Sequence, residues 1–136
     1  MTDSPFATPT IETREAQHLV VVRERVAFDA IAALYDRAYP LIFGTLARAG
    51  IAPAGPPMGV THGDMNDGLD LSVAVPVAEP FAGAGEVTAE TLPAGRVAAL
   101  LVRGDFAQLP AAYEHLYGWV VAQGLTPDDV AFEQYL

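Results

Sequence analysis

Spaced by its apolar residues, the chain reads as short β-type runs interrupted by two long helical ones. Leu19-Val20-Val21-Val22 is a β-branched run bounded by polar residues, which predicts a strand within residues 10–25. From about residue 29 to 49 the period changes. Ile31, Leu34, Tyr35, Ala38, Ile42, Leu46 and Ala49 recur at spacings of three and four, giving a helix with one apolar face. Asp29 is placed to cap its start, and Gly50 stands where a left-handed C-terminal cap belongs. Pro40 lies inside this stretch and is expected to kink or divide it.

After a turn over residues 53–57, residues 58–62 read as a short strand and Gly63-Asp64-Met65-Asn66-Asp67-Gly68 as a hairpin-type loop. The clearest strand covers residues 69–77. Leu69, Leu71, Val73, Val75 and Val77 alternate with Asp70, Ser72, Ala74 and Pro76, and Pro76 suggests that the strand ends or lies at an edge there. A Pro/Gly-rich linker spans 79–85. Residues 86–91 and 96–103 then read as strands around the turn Leu92-Pro93-Ala94-Gly95. Phe106, Leu109, Tyr113, Leu116, Tyr117, Val120 and Val121 mark a second amphipathic helix stopped by Gly124, and 132–136 a last short strand.

The two halves resemble each other. A shift of 74 positions lays Ala38-Tyr39 on Ala112-Tyr113, Gly44 on Gly118, Gly50 on Gly124, Pro53 on Pro127 and Met58 on Phe132. These matches keep helix face, helix stop and following turn in register, which points to a duplicated strand–helix–strand unit. Only the first copy shows a fourth strand (69–77). The expected sheet holds Leu19, Val60, Val73, Val97 and Phe132 together, and a missing partner strand would leave an edge open to a second copy, so a homodimer is expected.

Composition narrows the chemistry. At 136 residues with 51% hydrophobic residues, the chain suits one domain over 10–136, preceded by a mobile tail over 1–9. Cysteine is absent, which removes disulfides and thiolate chemistry. All seven basic residues are arginines, which removes a lysine Schiff base. A net charge of −10 repels phosphate backbones, so no direct nucleic-acid partner is expected, and it favours cationic ligands. No apolar run approaches the roughly 20 residues that cross a bilayer, and the N-terminus lacks the features of a signal peptide, so no membrane partner and a cytoplasmic location are expected. No cofactor motif is present: Gly83-Ala84-Gly85 lacks the lysine of a phosphate loop. His18, His62 and His115 are scattered among three elements. His62 near Asp64 and Asp67 reads as a solvated turn in preference to a metal site.

The order of short motifs carries a family resemblance. Asp70-Leu71-Ser72-Val73-Ala74-Val75-Pro76-Val77 is followed by the Leu92-Pro93-Ala94-Gly95-Arg96 turn and then Arg103-Gly104-Asp105-Phe106. A helix with Tyr113 and Trp119 follows, and last Glu133-Gln134-Tyr135-Leu136. From residue 11 to 136 this resembles the GyrI-like effector-binding family. The resemblance implies an α+β fold of duplicated βαββ units: a curved antiparallel sheet, two helices on one face, and a central ligand cleft. It also implies a relation to the drug-sensing domains of transcription regulators. The sequence departs from the family pattern at Ser72, where an acidic residue is common, at Arg103, where histidine is usual, and at Asp105-Phe106, which replaces Pro-Tyr.

Candidate ligand-binding residues follow from both readings: Glu133, Tyr135, Phe106, Tyr113, Tyr39 and Ser72. With Phe132 and Leu136 turned to the helices, Glu133 and Tyr135 face the opposite side of the strand. The resemblance makes Glu133 the cleft carboxylate that pairs with cationic ligands, and a buried carboxylate among apolar walls requires such a charge or hydrogen bonds. Tyr39 and Tyr113 are pseudo-symmetric aromatic walls, with core packing as the competing reading, and Trp119 reads as core. The leading function is small-molecule binding, as a sensor or sequestering module. One alternative is a hydrolase of cyclopropane-bearing alkylating compounds in which Glu133 activates water. Another is a module that inhibits a protein partner through its surface.

Overall fold

The computed structural model describes residues 6–63, 68–103, 106–127 and 130–135, except for the side chain of Phe106. Within them the element order is β1 (Thr10–Arg14), β2 (Gln17–Val26), α1 (Ile31–Ala49), β3 (Met58–His62), β4 (Leu69–Val77), β5 (Thr88–Leu92), β6 (Gly95–Ala99), α2 (Leu109–Ala122) and β7 (Val130–Gln134). The fold is α+β with antiparallel sheets throughout. Contacts divide the chain into two compact units. The larger comprises Ala16–Pro93 with Asp129–Leu136, and the smaller Met1–Glu15 with Ala94–Asp128.

The larger unit is a five-stranded sheet in the order β5-β2-β4-β3-β7 with α1 packed on β2 and β4. Alternation along the strands sends Val20, Val22, Val73 and Val75 to the α1 face, where they meet Leu34, Ala38, Ile42 and Leu46. These are the helix positions that the three-and-four spacing marks out. The opposite face carries Leu19, Val21, Met58, Val60, Ala74 and Leu92, all buried, with Phe132 against them. Burial of each large apolar side chain contributes about 1.5–3 kcal/mol.

Local chemistry sets the ends of α1. Gly50 closes it in the left-handed region (φ 70°), its N–H reaching Ala47 O, while Ile51 N–H bonds Leu46 O at 2.9 Å. Asp29 does not cap the helix: it lies in a 3₁₀ turn over Phe28–Ala30, and Ala30 takes the N-cap position. Pro40 neither divides nor ends α1. It sits on the exposed side, where water can serve the carbonyl that its missing N–H leaves unbonded. Pro76 lies in a central strand, not an edge. Its carbonyl accepts from Ala54 N–H at 2.8 Å, on the side where the β3 ladder has already stopped at Ala74, so no β3 bond is lost to the proline.

The smaller unit holds the two-stranded sheet β1-β6 and α2, which packs against β6. A 3₁₀ turn over Phe106–Gln108 leads into α2, and Gly124 follows it with φ 75°. Val97 therefore does not join Leu19, Val60, Val73 and Phe132; it pairs with Glu12 of β1. The cause is an exchange of strand arms. The region read as one strand over 10–25 is interrupted at Glu15–Ala16, and Pro93–Ala94 separates β5 from β6. Neither pair of consecutive strands bonds to itself: β1 pairs with β6, and β5 with β2. Both arms read Thr-x-Glu-Thr, at Thr10–Thr13 and Thr88–Thr91, and Glu12 faces Val97 as Glu90 faces Leu19.

Ile42 is fully buried between helix and sheet. Ile42→Ala is expected to cost about 2–5 kcal/mol in urea unfolding; a loss under 1 kcal/mol would mean that α1 is not anchored there.

Candidate functional site

On the α1 face of the larger unit, Tyr35, Tyr39 and Phe43 follow one another at intervals of four, one turn apart on the same side of the helix. Their rings stack, Tyr35 on Tyr39 with centroids 5.6 Å apart and Tyr39 on Phe43 at 6.0 Å. Tyr135, just beyond β7, meets Tyr35 edge-on at 5.9 Å and is tied to the chain by its N–H to Pro57 O at 2.9 Å. The Tyr35 and Tyr135 hydroxyls are 2.7 Å apart, and Tyr135 donates to Glu133 Oε1 at 3.1 Å. Since Tyr135 has one hydroxyl proton and it goes to the carboxylate, Tyr35 must donate to Tyr135. Tyr39 donates to Met58 O at 3.4 Å.

The geometry depends on β3. Gly59 pairs directly with Glu133, and a Cβ on Gly59 would collide with the Tyr35 hydroxyl and come within 2.9 Å of that of Tyr135. Burial holds all three phenols above the ordinary tyrosine range. At Tyr35, Tyr135's hydroxyl works against that shift; at Tyr135, the Tyr35 hydroxyl and the Glu133 charge add to it. All three therefore remain neutral hydrogen-bond donors at ordinary pH.

The alternation expected in β7 is present, with the faces reversed. Phe132 packs with Met58 and Val60 away from α1, while Glu133 and Tyr135 share the α1 side with Tyr35. The register explains this: Phe132 is opposite Val60, and Glu133 is opposite Gly59, where a bare strand leaves room for the Tyr135 ring. Of the nominated residues, Glu133, Tyr135 and Tyr39 thus fall into one cluster, to which the structure adds Tyr35 and Gly59. Tyr35 was legible only as one more apolar-face position, although its place four residues before Tyr39 hints at a stacked pair.

Ser72 is elsewhere. It is fully buried on the other face of the sheet and donates to Glu90 Oε1 at 2.8 Å, with His62 Nε2 3.3 Å from its oxygen and 3.2 Å from Glu90 Oε2. Arg23 grips Asp70 beside them through two bonds of 2.9 and 2.7 Å. Strands β3 and β5 have two others between them, which in a flat sheet sets them about 14 Å apart. Only strong twist and curvature, concave along this diagonal, brings His62 to Glu90. Arg23's bonds hold the Asp70 carboxyl below its ordinary value, and the nearby His62 and Arg25 charges act in the same direction. Sequence reasoning missed Glu90, although its place in the second Thr-x-Glu-Thr was a usable signal. Among the described residues no group of three His, Asp or Glu could hold a metal ion; Asp64 and Asp67 lie outside them.

In the smaller unit, Tyr113 is half-buried on α2 and stacks on Tyr117 with centroids 6.1 Å apart, repeating the Tyr39–Phe43 spacing; Trp119 is half-buried. The Phe106 side chain lies outside the described residues. Near the start of α2 a cavity of about 320 Å³ is lined by Phe6, Ala7, Leu101, Arg103 and Gln108. No helix among the described residues is long and apolar enough to cross a membrane.

Comparison with known proteins gives a single family. The model of the GyrI-like small molecule binding domain matches residues 7–136. The crystal structure of the EcmrR C-terminal domain is similar with a TM-score of 0.77 and 16% identity, over 98% of this chain and 85% of that one. The cryo-EM structure of the EcmrR–DNA complex in EcmrR-RPo gives a TM-score of 0.78 and 18% identity over 94% of this chain, which spans 49% of the regulator's length. At these identities the likeness is one of fold. No curated protein matches in sequence.

Gly59→Ala is expected to cost about 1–3 kcal/mol through overpacking and to bring tyrosine ionisation, followed by phenolate absorbance, to lower pH. Unchanged ionisation would separate Gly59 from the tyrosine cluster. Asp70→Asn tests the opposite face. Because the folded-state pKa of Asp70 is depressed, its contribution is present above the unfolded carboxylate pKa and is lost as pH falls through the folded one. The pair is partly exposed, so the variant should lose no more than about 1 kcal/mol at neutral pH. The difference should vanish in acid; a deficit that persists there would assign the loss to packing.

Proposed function

We propose that this chain, which belongs to the GyrI-like small molecule binding domain family, binds a cationic, flat aromatic small molecule at the Tyr35–Tyr39–Glu133–Tyr135 cluster. It would act there as a sensor or sequestering module. One observation carries the reading: a row of aromatic rings, Phe43, Tyr39, Tyr35 and Tyr135, leads to the carboxylate of Glu133. A half-buried carboxylate is stabilised by hydrogen bonds and by a cation brought to it, and ring faces add cation–π attraction. Exposed Phe43 at the outer end offers a surface on which a flat ligand continues the stack.

The fold shared with the C-terminal domain of EcmrR, a protein also solved in complex with DNA, supports the sensing reading. The acid excess of this chain argues that its own contribution is to ligand binding and not to a phosphate backbone. The open strand edges among the described residues support pairing with a second copy. Hydrolysis is the weaker reading. Its tyrosine would have to release a proton to a leaving group, whereas burial and the neighbouring carboxylate hold the Tyr135 proton firmly.

Glu133→Gln is expected to weaken a cationic aromatic ligand by about 1.5–3 kcal/mol while a neutral analogue of the same shape changes far less. Calorimetric titration of both compounds measures this. Equal losses for the two, or none, would take the charge-reading role away from Glu133. Retained binding with turnover lowered a hundredfold or more, an effect of roughly the size a lost general base produces, would instead identify a hydrolase.

A further inference from the structure

We propose a second small-molecule site of opposite preference, in the smaller unit. The cavity bounded by Phe6, Ala7, Leu101, Arg103 and Gln108 takes a small carboxylate with an aromatic or branched apolar body. It shares no residue with the Glu133 cluster and does not depend on the function proposed for it.

The cavity's volume of about 320 Å³ lies at the lower end of the roughly 300–1,000 Å³ usual for small-molecule sites. Its walls are of two kinds. Phe6 and Leu101 supply apolar surface, and Leu101 keeps 55% of its area exposed although it is a large aliphatic residue. The Phe6 side is held in place: its ring lies 5.5 Å from that of His115, whose Nε2 donates to the Ala7 carbonyl at 3.1 Å. That bond fixes the proton on Nε2 and pins the segment to α2. Arg103 and Gln108 also line the cavity, and their guanidinium and amide groups are both able to donate to a carboxylate. A guanidinium presents a planar pair of N–H groups that matches the two carboxylate oxygens.

Arg103 is the charged group that favours an anion at this cavity, in a chain whose total is −10. Arg14, Arg23 and Arg37 each pair with a carboxylate, whereas Arg103, like Arg25, Arg48 and Arg96, has no carboxylate within ion-pair distance among the described residues. Counted over its sequence, this unit carries Arg14, Arg96 and Arg103 against Asp3, Glu12, Glu15, Asp105, Glu114 and Asp128, a net −3, so it shares in the acid excess. Exposed charges beyond about 8–10 Å are largely screened at physiological salt, so a bound anion meets chiefly the charges nearest the cavity. An ammonium ligand would face the guanidinium and be repelled, so an amine of the same shape is the discriminating control.

The test is an amide-resolved NMR titration of the whole chain with phenylacetate and, separately, with benzylamine. Phenylacetate should shift the amides of Ala7, Leu101 and Gln108 saturably, with a dissociation constant on the order of 1 mM, and benzylamine should not. Arg103→Gln should weaken phenylacetate at least about tenfold, the scale of a lost charged hydrogen bond. Arg103→Lys, which keeps the charge and loses the fork, should fall between, and Glu133→Gln should leave the titration unchanged. The proposal is overturned by no saturable shift up to about 10 mM, by an equal response to benzylamine, or by undiminished binding in Arg103→Gln. If Arg103→Gln alters the fold, the Arg103→Lys titration decides: undiminished affinity there removes the fork from the site.

Discussion

Gly59 lies in the middle of β3 with β4 on one side and β7 on the other, and the candidate site depends on its having no side chain. Tyrosine hydroxyls taken out of water need partners, and three of them converge here. Tyr35 and Tyr135 find each other, Tyr135 reaches Glu133, and Tyr39 reaches the Met58 carbonyl. Each bond requires a ring edge to come down close to the strand. A Cβ at Gly59 would occupy the place of the Tyr35 hydroxyl. The neighbours of Gly59 in sequence, Met58 and Val60, point the other way and are fully buried, so one short strand seals one face and leaves the other bare for polar contacts.

Small residues make a second arrangement possible across the same sheet. Ser72 and Ala74, consecutive on their face of β4, are fully buried. Being short, they let Glu90 from β5 and His62 from β3 close over the two strands between them, which the twist of the sheet brings within reach. A longer side chain at Ser72 would have to displace that closure. The acidic group common in the family at this position is absent, and Glu90 supplies a carboxylate from another strand instead, tied into an internal network. The sheet therefore separates two kinds of polar chemistry. On the α1 side is a carboxylate met by phenols and rings; on the other, a carboxylate met by a serine and a histidine.

Much of this was legible in the sequence because burial follows period. Strands β3 and β4 and the apolar stripe of α1 appear where alternation and the three-and-four spacing put them, and Gly50 closes its helix as a C-cap glycine should. What the pattern could not show was pairing. Two strands joined by a two-residue link read as a hairpin, yet here each pairs with the corresponding arm of the other half, so Val97 enters a different sheet from Val73. The repeated Thr-x-Glu-Thr was the trace of that exchange. Alternation in β7 likewise separated Glu133 and Tyr135 from Phe132 without revealing which side met α1; that was decided by Gly59 on a different strand. Period assigns residues to faces, and register between distant strands decides what those faces meet.

The direction of the hydrogen bonds then limits what the cluster can recognise. Tyr135 spends its proton on Glu133, so Tyr35 must donate to Tyr135, and the two phenols form a chain pointing one way, toward the carboxylate. Burial keeps these phenols neutral, so neither becomes a base or a second negative centre. The negative charge of the cluster is therefore concentrated at Glu133. The phenol chain serves its acceptor capacity in part, while the stacked rings of Tyr39 and Phe43 present π surface beside it. A ligand that brings only hydrogen-bond donors competes with a proton already in place. One that brings positive charge gains from the carboxylate and the ring faces together, without needing to displace Tyr135. Selection by charge and flatness, with little demand on the exact placement of donors, follows from that geometry.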